Sequence, residues 1–180
     1  FDAVCGVEPQ SETVWRQADK YSVPRICFAN KMDRVGADFL ATLQSIISRL
    51  GANPVSIQLP IGAEVDFKGV IDLIESKAWL FSDDRDQAST EVPVPEEYKE
   101  AVARHREKLI EKVADSDEAL MSAYVEGKEI AVPELKAAIR RATLSTRLVP
   151  VLCGSALKGK GVRSVLDAVV DYLPSPLDMP

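Results

Sequence analysis

The chain has 180 residues, 46% of them hydrophobic, and a formal net charge of −6 at pH 7. This length suits one domain, or one domain carrying an insert, with enough apolar side chains to bury a core. The acidic balance argues against broad nonspecific adhesion to nucleic acid, and no apolar stretch reaches the roughly 18 residues that a membrane-spanning helix needs.

The first part of the chain alternates between short apolar runs and helical patterns. It opens at Phe1 without a methionine and already inside a strand-like run, which predicts that Phe1 is a fragment boundary. We then predict a helix capped by Ser11, a buried strand over 24–29, and a second helix over 38–50. Strands and helices in this order and at this spacing predict a parallel sheet with right-handed crossovers.

The middle of the chain, residues 52–147, has a different pattern. Residues 55–59 alternate between apolar and polar, and 69–74 and 78–81 have the composition of two more strands. A polar loop is predicted over 83–90. Three helices are predicted after it, over 95–114, 117–125 and 133–144. Strands first and helices after are typical of an α+β unit.

The last part returns to the first pattern. A buried strand is predicted over 148–153, followed by an amphipathic helix over 161–173 and a Pro-Ser-Pro segment at 174–176. The apolar side of that helix is predicted from residues at helical spacing, namely Val162, Val165, Leu166, Val169 and Val170. The fold class is therefore α/β with an inserted α+β subdomain.

The domain organisation follows from these patterns. Residues 1–51 and 148–180 are predicted to form one parallel-sheet domain, with 52–147 inserted as a subdomain. The insert holds 19 acidic and 13 basic side chains, whereas the rest of the chain holds nine of each. A solvated helical face and an acidic surface for a basic protein partner both remain explanations of that excess. The three cysteines predict buried, reduced thiols.

Two short motifs come directly after the predicted buried strands. Asn30-Lys31-Met32-Asp33 follows the strand at 24–29, and Gly154-Ser155-Ala156-Leu157-Lys158 follows the strand at 148–153. In open parallel sheets, ligands bind beyond the carboxyl ends of the strands, which is where both motifs are expected. Together the motifs predict a pocket for guanine.

The residue types fit the polar edge of that base. Guanine differs from adenine by its six-position oxygen, its N1–H and its exocyclic amine. The Asp33 carboxylate can accept from both N–H groups in a charge-assisted pair. The Asn30 amide can donate to the base and tie neighbouring loops together, and the Lys31 stem can lie over the ring. Backbone N–H groups of the second motif can donate to the guanine oxygen, and Leu157 can cover the opposite face.

The sequence contains no G-x-x-x-x-G-K-[ST] loop for phosphates and no upstream aspartate for magnesium. It therefore holds the base-specific half of a GTP site without the half that holds phosphate. Coincidence is the alternative explanation of the motifs, with Asp33 acting as a helix cap and Ser155 as a turn residue.

Four segments carry a family resemblance, at 2–17, 30–34, 58–62 and 171–176. They resemble the GTP-binding domain of translational GTPases of the elongation factor G family. There, the first segment follows the family's third sequence motif and the second binds the base. The third begins the inserted subdomain, and the fourth leads to the next domain. The similarity covers nearly the whole chain.

The resemblance implies the C-terminal part of a P-loop GTPase domain, with the subdomain inserted between the two base motifs. It implies that GTP or GDP is held at the base by six residues: Asn30, Lys31, Asp33, Ser155, Ala156 and Leu157. Mg²⁺ would be held in the parent protein by residues absent from this chain, as would the phosphate loop and the catalytic histidine. The parent would be a GTPase, and this chain alone would be inactive.

The resemblance also implies a function and partners. These are GTP hydrolysis coupled to ribosomal translocation, in a cytoplasmic, monomeric factor that contacts the large-subunit stalk and the factor-binding region of the ribosome. Another ribosomal GTPase, for recycling, protection or release, is an alternative. A third possibility, of a different class, is a ribosome-docking fragment without activity, with 52–147 as its docking surface. The N-terminal sequence of the parent would separate the first two, and nucleotide binding by the chain would test the third.

Overall fold

The computed structural model describes residues 1–82 and 89–178. Helices and strands alternate towards both ends of the chain, while five strands and then three helices follow one another in the middle, which confirms the α/β class with an inserted subdomain. In the first part these are α1 (Pro9–Lys20), β1 (Cys27–Ala29), α2 (Phe39–Leu50), β2 (Pro54–Ser56), β3 (Gln58–Ile61), β4 (Gly69–Asp72) and β5 (Lys77–Leu80). In the second they are β6 (Thr90–Val92), α3 (Lys99–Ala114), α4 (Glu118–Val125), α5 (Val132–Leu144), β7 (Val149–Cys153) and α6 (Val162–Tyr172).

A three-stranded parallel sheet has the order β1-β7-β2. All five residues of β7 are buried, as expected for a central strand covered on both faces. In the register of the sheet, Ala29 lies opposite Cys153. The two strands therefore end side by side, and the residues that follow them emerge at the same edge.

A second sheet is antiparallel, with the order β3-β4-β5-β6. The prediction of one strand over 55–59 is wrong, because β2 and β3 belong to different sheets. Ile57 lies between them: its N–H donates to the Val151 carbonyl at 3.2 Å, and its own carbonyl accepts from the Leu73 N–H at 3.0 Å. The predicted domain boundaries at 52 and 147 stay predictions. By sheet membership alone, the chain first passes from the parallel sheet to the antiparallel sheet at Ile57.

Strand β6 lies at the end of the predicted polar loop over 83–90, where no strand was expected. Residues 83–88 of that loop lie outside the described residues. The three helices expected in the middle of the chain are confirmed, although the first is preceded by a separate 3-10 turn at Glu96–Tyr98.

The helix ends follow their local sequence, with one exception. Asp38 caps α2 by accepting from the Ala41 N–H at 2.9 Å, and Gly51 ends that helix at φ 61°. The prediction that Ser11 caps the first helix is wrong, since α1 begins at Pro9 with Glu8 as an N-cap that makes no side-chain bond. Proline suits the first helical position because its missing N–H would have no partner there.

Helix α6 differs from its predicted orientation. It buries Ala168 and Tyr172, whereas Leu166 is 61% and Val170 is 78% exposed. Of the predicted apolar side, Val165 packs against the core, Leu166 and Val170 lie largely in solvent, and Val169 is 40% exposed. Helical spacing establishes that a face exists, but the rotation of that face depends on what packs against it.

The cysteines are free thiols. Cys27 and Cys153 are buried as predicted, and desolvation raises the pKa of Cys27 to about 12, so it stays a neutral thiol. Cys5 is exposed, contrary to the prediction. Among the described residues, no helix is both long and apolar enough to cross a membrane.

Candidate functional site

Two loops leave the same edge of the parallel sheet. We name residues 30–36, after β1, the first base loop, and residues 154–160, after β7, the second base loop. Backbone hydrogen bonds join them: the Gly154 N–H donates to the Ala29 carbonyl at 3.0 Å, and the Met32 N–H donates to the Gly154 carbonyl at 3.1 Å. The six residues expected at the base lie on these two loops.

Asn30 holds the two loops in register. Its Oδ1 atom accepts from the Lys31 N–H at 2.8 Å and from the Ala156 N–H at 2.9 Å. The first of these bonds supports Lys31 at φ 66°, a conformation that non-glycine residues rarely adopt. Because Oδ1 serves two backbone groups, the amide NH2 of Asn30 is the donor that a ligand could use.

Lys31 is anchored by its ammonium group. Its Nζ lies 2.5 Å from Oδ2 of Asp2, whose backbone pairs with Asn30 in parallel fashion. The hydrogen bond from Lys31 is the main cause that lowers the pKa of the Asp2 carboxyl. With the ammonium held at Asp2, the methylene stem of Lys31 is the part that can pack on an aromatic ring.

Asp33 is the acidic residue of the two motifs. The Ser155 hydroxyl beside its carboxylate is the largest cause that lowers the pKa of Asp33, followed among the lowering causes by Lys158. Lys158 Nζ lies 3.2 Å from Oδ2 of Asp33. The carboxyl is therefore ionised near neutral pH and can only accept hydrogen bonds. A ligand that uses both of its oxygens must share or displace the Lys158 pair.

The second base loop is closed on itself. Ser155 and Lys160 exchange backbone hydrogen bonds at 2.9 and 3.0 Å, which holds the buried Ser155 beside Asp33. Gly154 is required here, because a Cβ would lie 2.3 Å from the Lys160 carbonyl oxygen and 2.7 Å from the Phe28 ring. Ala156 and Leu157 start a 3-10 turn on the outside of the loop, and Leu157 is 76% exposed.

Three contacting residues were not predicted at the site: Asp2, Glu64 and Lys158. Lys158 was within the second motif but had no assigned role. Asp2 and Glu64 lie 29 and 32 residues from their partners, Lys31 and Met32, so no local pattern connects them. Only sheet topology brings them to the first base loop.

The metal expected from the family resemblance has no ligand set in this part of the molecule. Among residues 1–82 and 89–178, no group of three or more His, Cys, Asp or Glu side chains is arranged to hold a metal ion. The polar groups of the site are instead hydrogen-bond donors and acceptors suited to an organic base.

The chain matches one family model over residues 1–175, that of the elongation factor Tu GTP binding domain. Elongation factor G of Thermotoga neapolitana is 55% identical over all 180 residues. Elongation factor G of Thermotoga petrophila is 54% identical over the same length. The chain spans 26% of the length of each of these relatives.

A solved structure has the same fold. The crystal structure of a protein from Thermus thermophilus superposes with a TM-score of 0.88 at 31% sequence identity. The match covers 99% of this chain and 26% of that protein. The match therefore extends over both sheets and over both base loops.

Proposed function

Because the chain belongs to the elongation factor Tu GTP-binding domain family, a family of translational GTPases, we propose that it is the guanine-binding part of a ribosomal translocation GTPase of the elongation factor G type. One observation carries this proposal. Oδ1 of Asn30 bonds to the backbone of both base loops, while Lys158 of the second loop pairs with Asp33 of the first at 3.2 Å. Two motifs 121 residues apart thus share one binding edge.

The proposed roles follow from the chemistry of each group. The ionised Asp33 carboxylate accepts from N1–H and the exocyclic amine of guanine, and the Asn30 amide donates to the base. The Lys31 stem packs on one face of the ring. Ser155 orients Asp33, other backbone N–H groups of the second base loop donate to the guanine oxygen, and Leu157 covers the other face of the ring. The Ala156 N–H donates to Asn30 and closes the pocket by joining the two loops. Adenine lacks an N1–H and presents a donor where guanine has its oxygen.

The longer protein supplies the rest of the reaction. Phosphate binding needs a glycine-rich loop at a helix N-terminus, and hydrolysis needs Mg²⁺ and a positioned water. This chain contributes specificity for the base. The phosphate loop and the residues that bind Mg²⁺ and position the water belong to the rest of the longer protein. The 55% identity to a named elongation factor G supports translocation over recycling, protection or release. We place the full-length factor in the cytoplasm, as a monomer that works on the ribosome.

The direct test of this function is the base preference of a full-length factor that carries this chain. A change at Asp33 should alter which nucleotide binds, without altering the affinity for the phosphates. If the base preference follows Asp33, the site is the one that we propose.

The isolated chain should bind GDP and GTP negligibly and hydrolyse neither. The reason is that the phosphates supply much of the nucleotide affinity of such domains through a loop that this sequence does not contain. Isothermal titration calorimetry on the 180-residue chain measures this, with its folding checked by circular dichroism. Micromolar GDP binding by the folded chain would contradict the prediction.

We further propose that helix α3 offers an acidic face to the ribosomal stalk. Glu107 and Glu111 are both exposed and lie one turn apart on this helix. Acidic side chains on a docking face raise the rate of encounter with a basic partner more than they raise affinity. Replacing both with lysine in the full-length factor should slow ribosome-stimulated GTP hydrolysis at low salt, and added salt should shrink the defect.

A matched control separates position from net charge. Glu126→Lys with Glu129→Lys makes the same charge change at two exposed residues that follow α4. This control should keep a stimulation close to that of the unmodified factor. Full stimulation of the α3 double variant at every ionic strength would show that its carboxylates are only a solvated face.

A further inference from the structure

The turn between β3 and β4, residues 62–68, contacts the first base loop directly. The Glu64 N–H donates to the Met32 carbonyl at 2.9 Å, and the Glu64 carboxylate accepts from the Gly36 N–H at 2.7 Å. Met32 is in the middle of the Asn30–Asp33 motif and Gly36 follows it. A single residue of this turn therefore binds both the base motif and the residue Gly36 that follows it.

Glu64 is held in place by the shape of its own turn. It has φ 57°, in the left-handed region that non-glycine residues seldom occupy. Gly62, two residues earlier, has φ 73°, and a Cβ there would lie 2.0 Å from the Asp66 carbonyl oxygen. The Gly62 N–H donates to the Tyr98 hydroxyl at 3.0 Å. The turn is thus held in place by Tyr98, which follows β6 of the antiparallel sheet.

The same turn also contacts the second base loop. Lys160 Nζ donates to the carbonyl of Phe67 at 3.2 Å, and Phe67 is a fully buried side chain at the end of the turn. Met32 is itself 1% exposed, and its N–H bonds to Gly154 while its carbonyl bonds to Glu64. The N–H and the carbonyl of Met32 are consequently both fixed, the first by the second base loop and the second by the turn at 62–68.

We propose that Glu64 is a positioning residue for guanine binding, a role that rests on the proposed function of Asn30 and Asp33. Its carboxylate orders the turn at Gly36, and its N–H sets the position of Met32, so that the Asp33 carboxylate is oriented before the base arrives. A binding loop that is ordered in advance loses less conformational entropy on binding. Glu64 thereby links the antiparallel sheet to the affinity and specificity of the base site.

The experiment measures GDP and inosine diphosphate affinity in the full-length factor carrying this chain. Inosine lacks the exocyclic amine that Asp33 is proposed to bind, so the ratio of the two affinities reports the orientation of Asp33. Loss of the bond to Gly36 in Glu64→Ala should weaken GDP about fivefold. Inosine diphosphate should weaken less, so the ratio should fall. Glu64→Gln keeps an acceptor oxygen and should show a smaller loss.

Asp66→Ala is the matched control, because it removes one carboxylate from an exposed residue of the same turn. It should leave both affinities unchanged. If Glu64→Ala does not fold, as judged by circular dichroism, Glu64→Met decides, because methionine has a similar length but no carboxylate to accept from the Gly36 N–H: a reduced affinity ratio supports the proposal, and an unchanged ratio opposes it.

The outcomes also separate this inference from the proposed function. If Asp33→Asn abolishes the preference for GDP over inosine diphosphate while Glu64→Ala leaves both affinities unchanged, Glu64 has no positioning role. The proposed base site at Asp33 is then still supported. If Glu64→Ala weakens both nucleotides equally, its role is only structural and the inference is wrong. If Asp33→Asn also leaves the preference unchanged, the proposed function itself is wrong.

Discussion

Replacing Asp33 by asparagine in a full-length factor that carries this chain should weaken GTP binding and admit xanthosine triphosphate. Guanine would lose the pair of acceptors for its N1–H and its amine, because an amide has one acceptor oxygen where the carboxylate has two. Xanthine has a carbonyl in place of that amine, to which the new amide can donate. Breaking a charged pair of this kind costs about 2–5 kcal/mol of binding free energy. Titration of the variant with both nucleotides measures the two changes.

The gain of xanthosine triphosphate binding is the internal control for the Asp33→Asn variant. A variant that has merely lost its fold binds neither nucleotide, whereas the proposed site exchanges one preference for the other. Ser155 can still donate to an asparagine oxygen at position 33, so the loop contact should persist, although the Lys158 ion pair is lost. Unchanged GTP affinity together with no binding of xanthosine triphosphate would remove Asp33 from the base site.

Much of the fold could be predicted because its signals are local. The buried strand before Asn30, the Asp38 cap and the Gly51 end of α2 each depend on a few neighbouring residues. The break at Ile57 could not be predicted, because the apolar alternation continues through it while the chain passes from one sheet to the other. The prediction of which side of α6 is buried was wrong for a similar reason, since residues far away in sequence decide that side.

The candidate site divides in the same way. The two motifs were visible because their residue types and their positions after buried strands are local features. The structure brings all six predicted residues onto adjacent loops, and their roles in binding a base remain a proposal. The contacts of Asp2 and Glu64 depend on pairing between distant segments. The role of Lys158 was not predicted because it pairs with Asp33 only when the fold brings the two base loops next to each other.

Replacing Asn30 should have a large effect on both nucleotide affinity and stability, because this one side chain combines a structural role with a binding role. Asn30→Ala should lower GDP affinity and the free energy of unfolding together, since the Lys31 and Ala156 N–H groups lose their shared acceptor. Two hydrogen bonds of this kind stabilise the fold by about 1–3 kcal/mol in total. Denaturant unfolding of the full-length factor, followed by a probe in this domain, measures the stability. Calorimetry measures the affinity.

Asn30→Asp separates the two roles of that side chain. An aspartate keeps an acceptor for both backbone N–H groups, so the base loops stay joined and the loss of stability should be smaller than in Asn30→Ala. It has no amide hydrogen to donate to the base, so GDP affinity should fall in both variants. If both variants instead lose equal stability, the acceptor atom of Asn30 does not hold the two loops together. If Asn30→Asp binds GDP as tightly as the unmodified factor, the amide does not donate to the base.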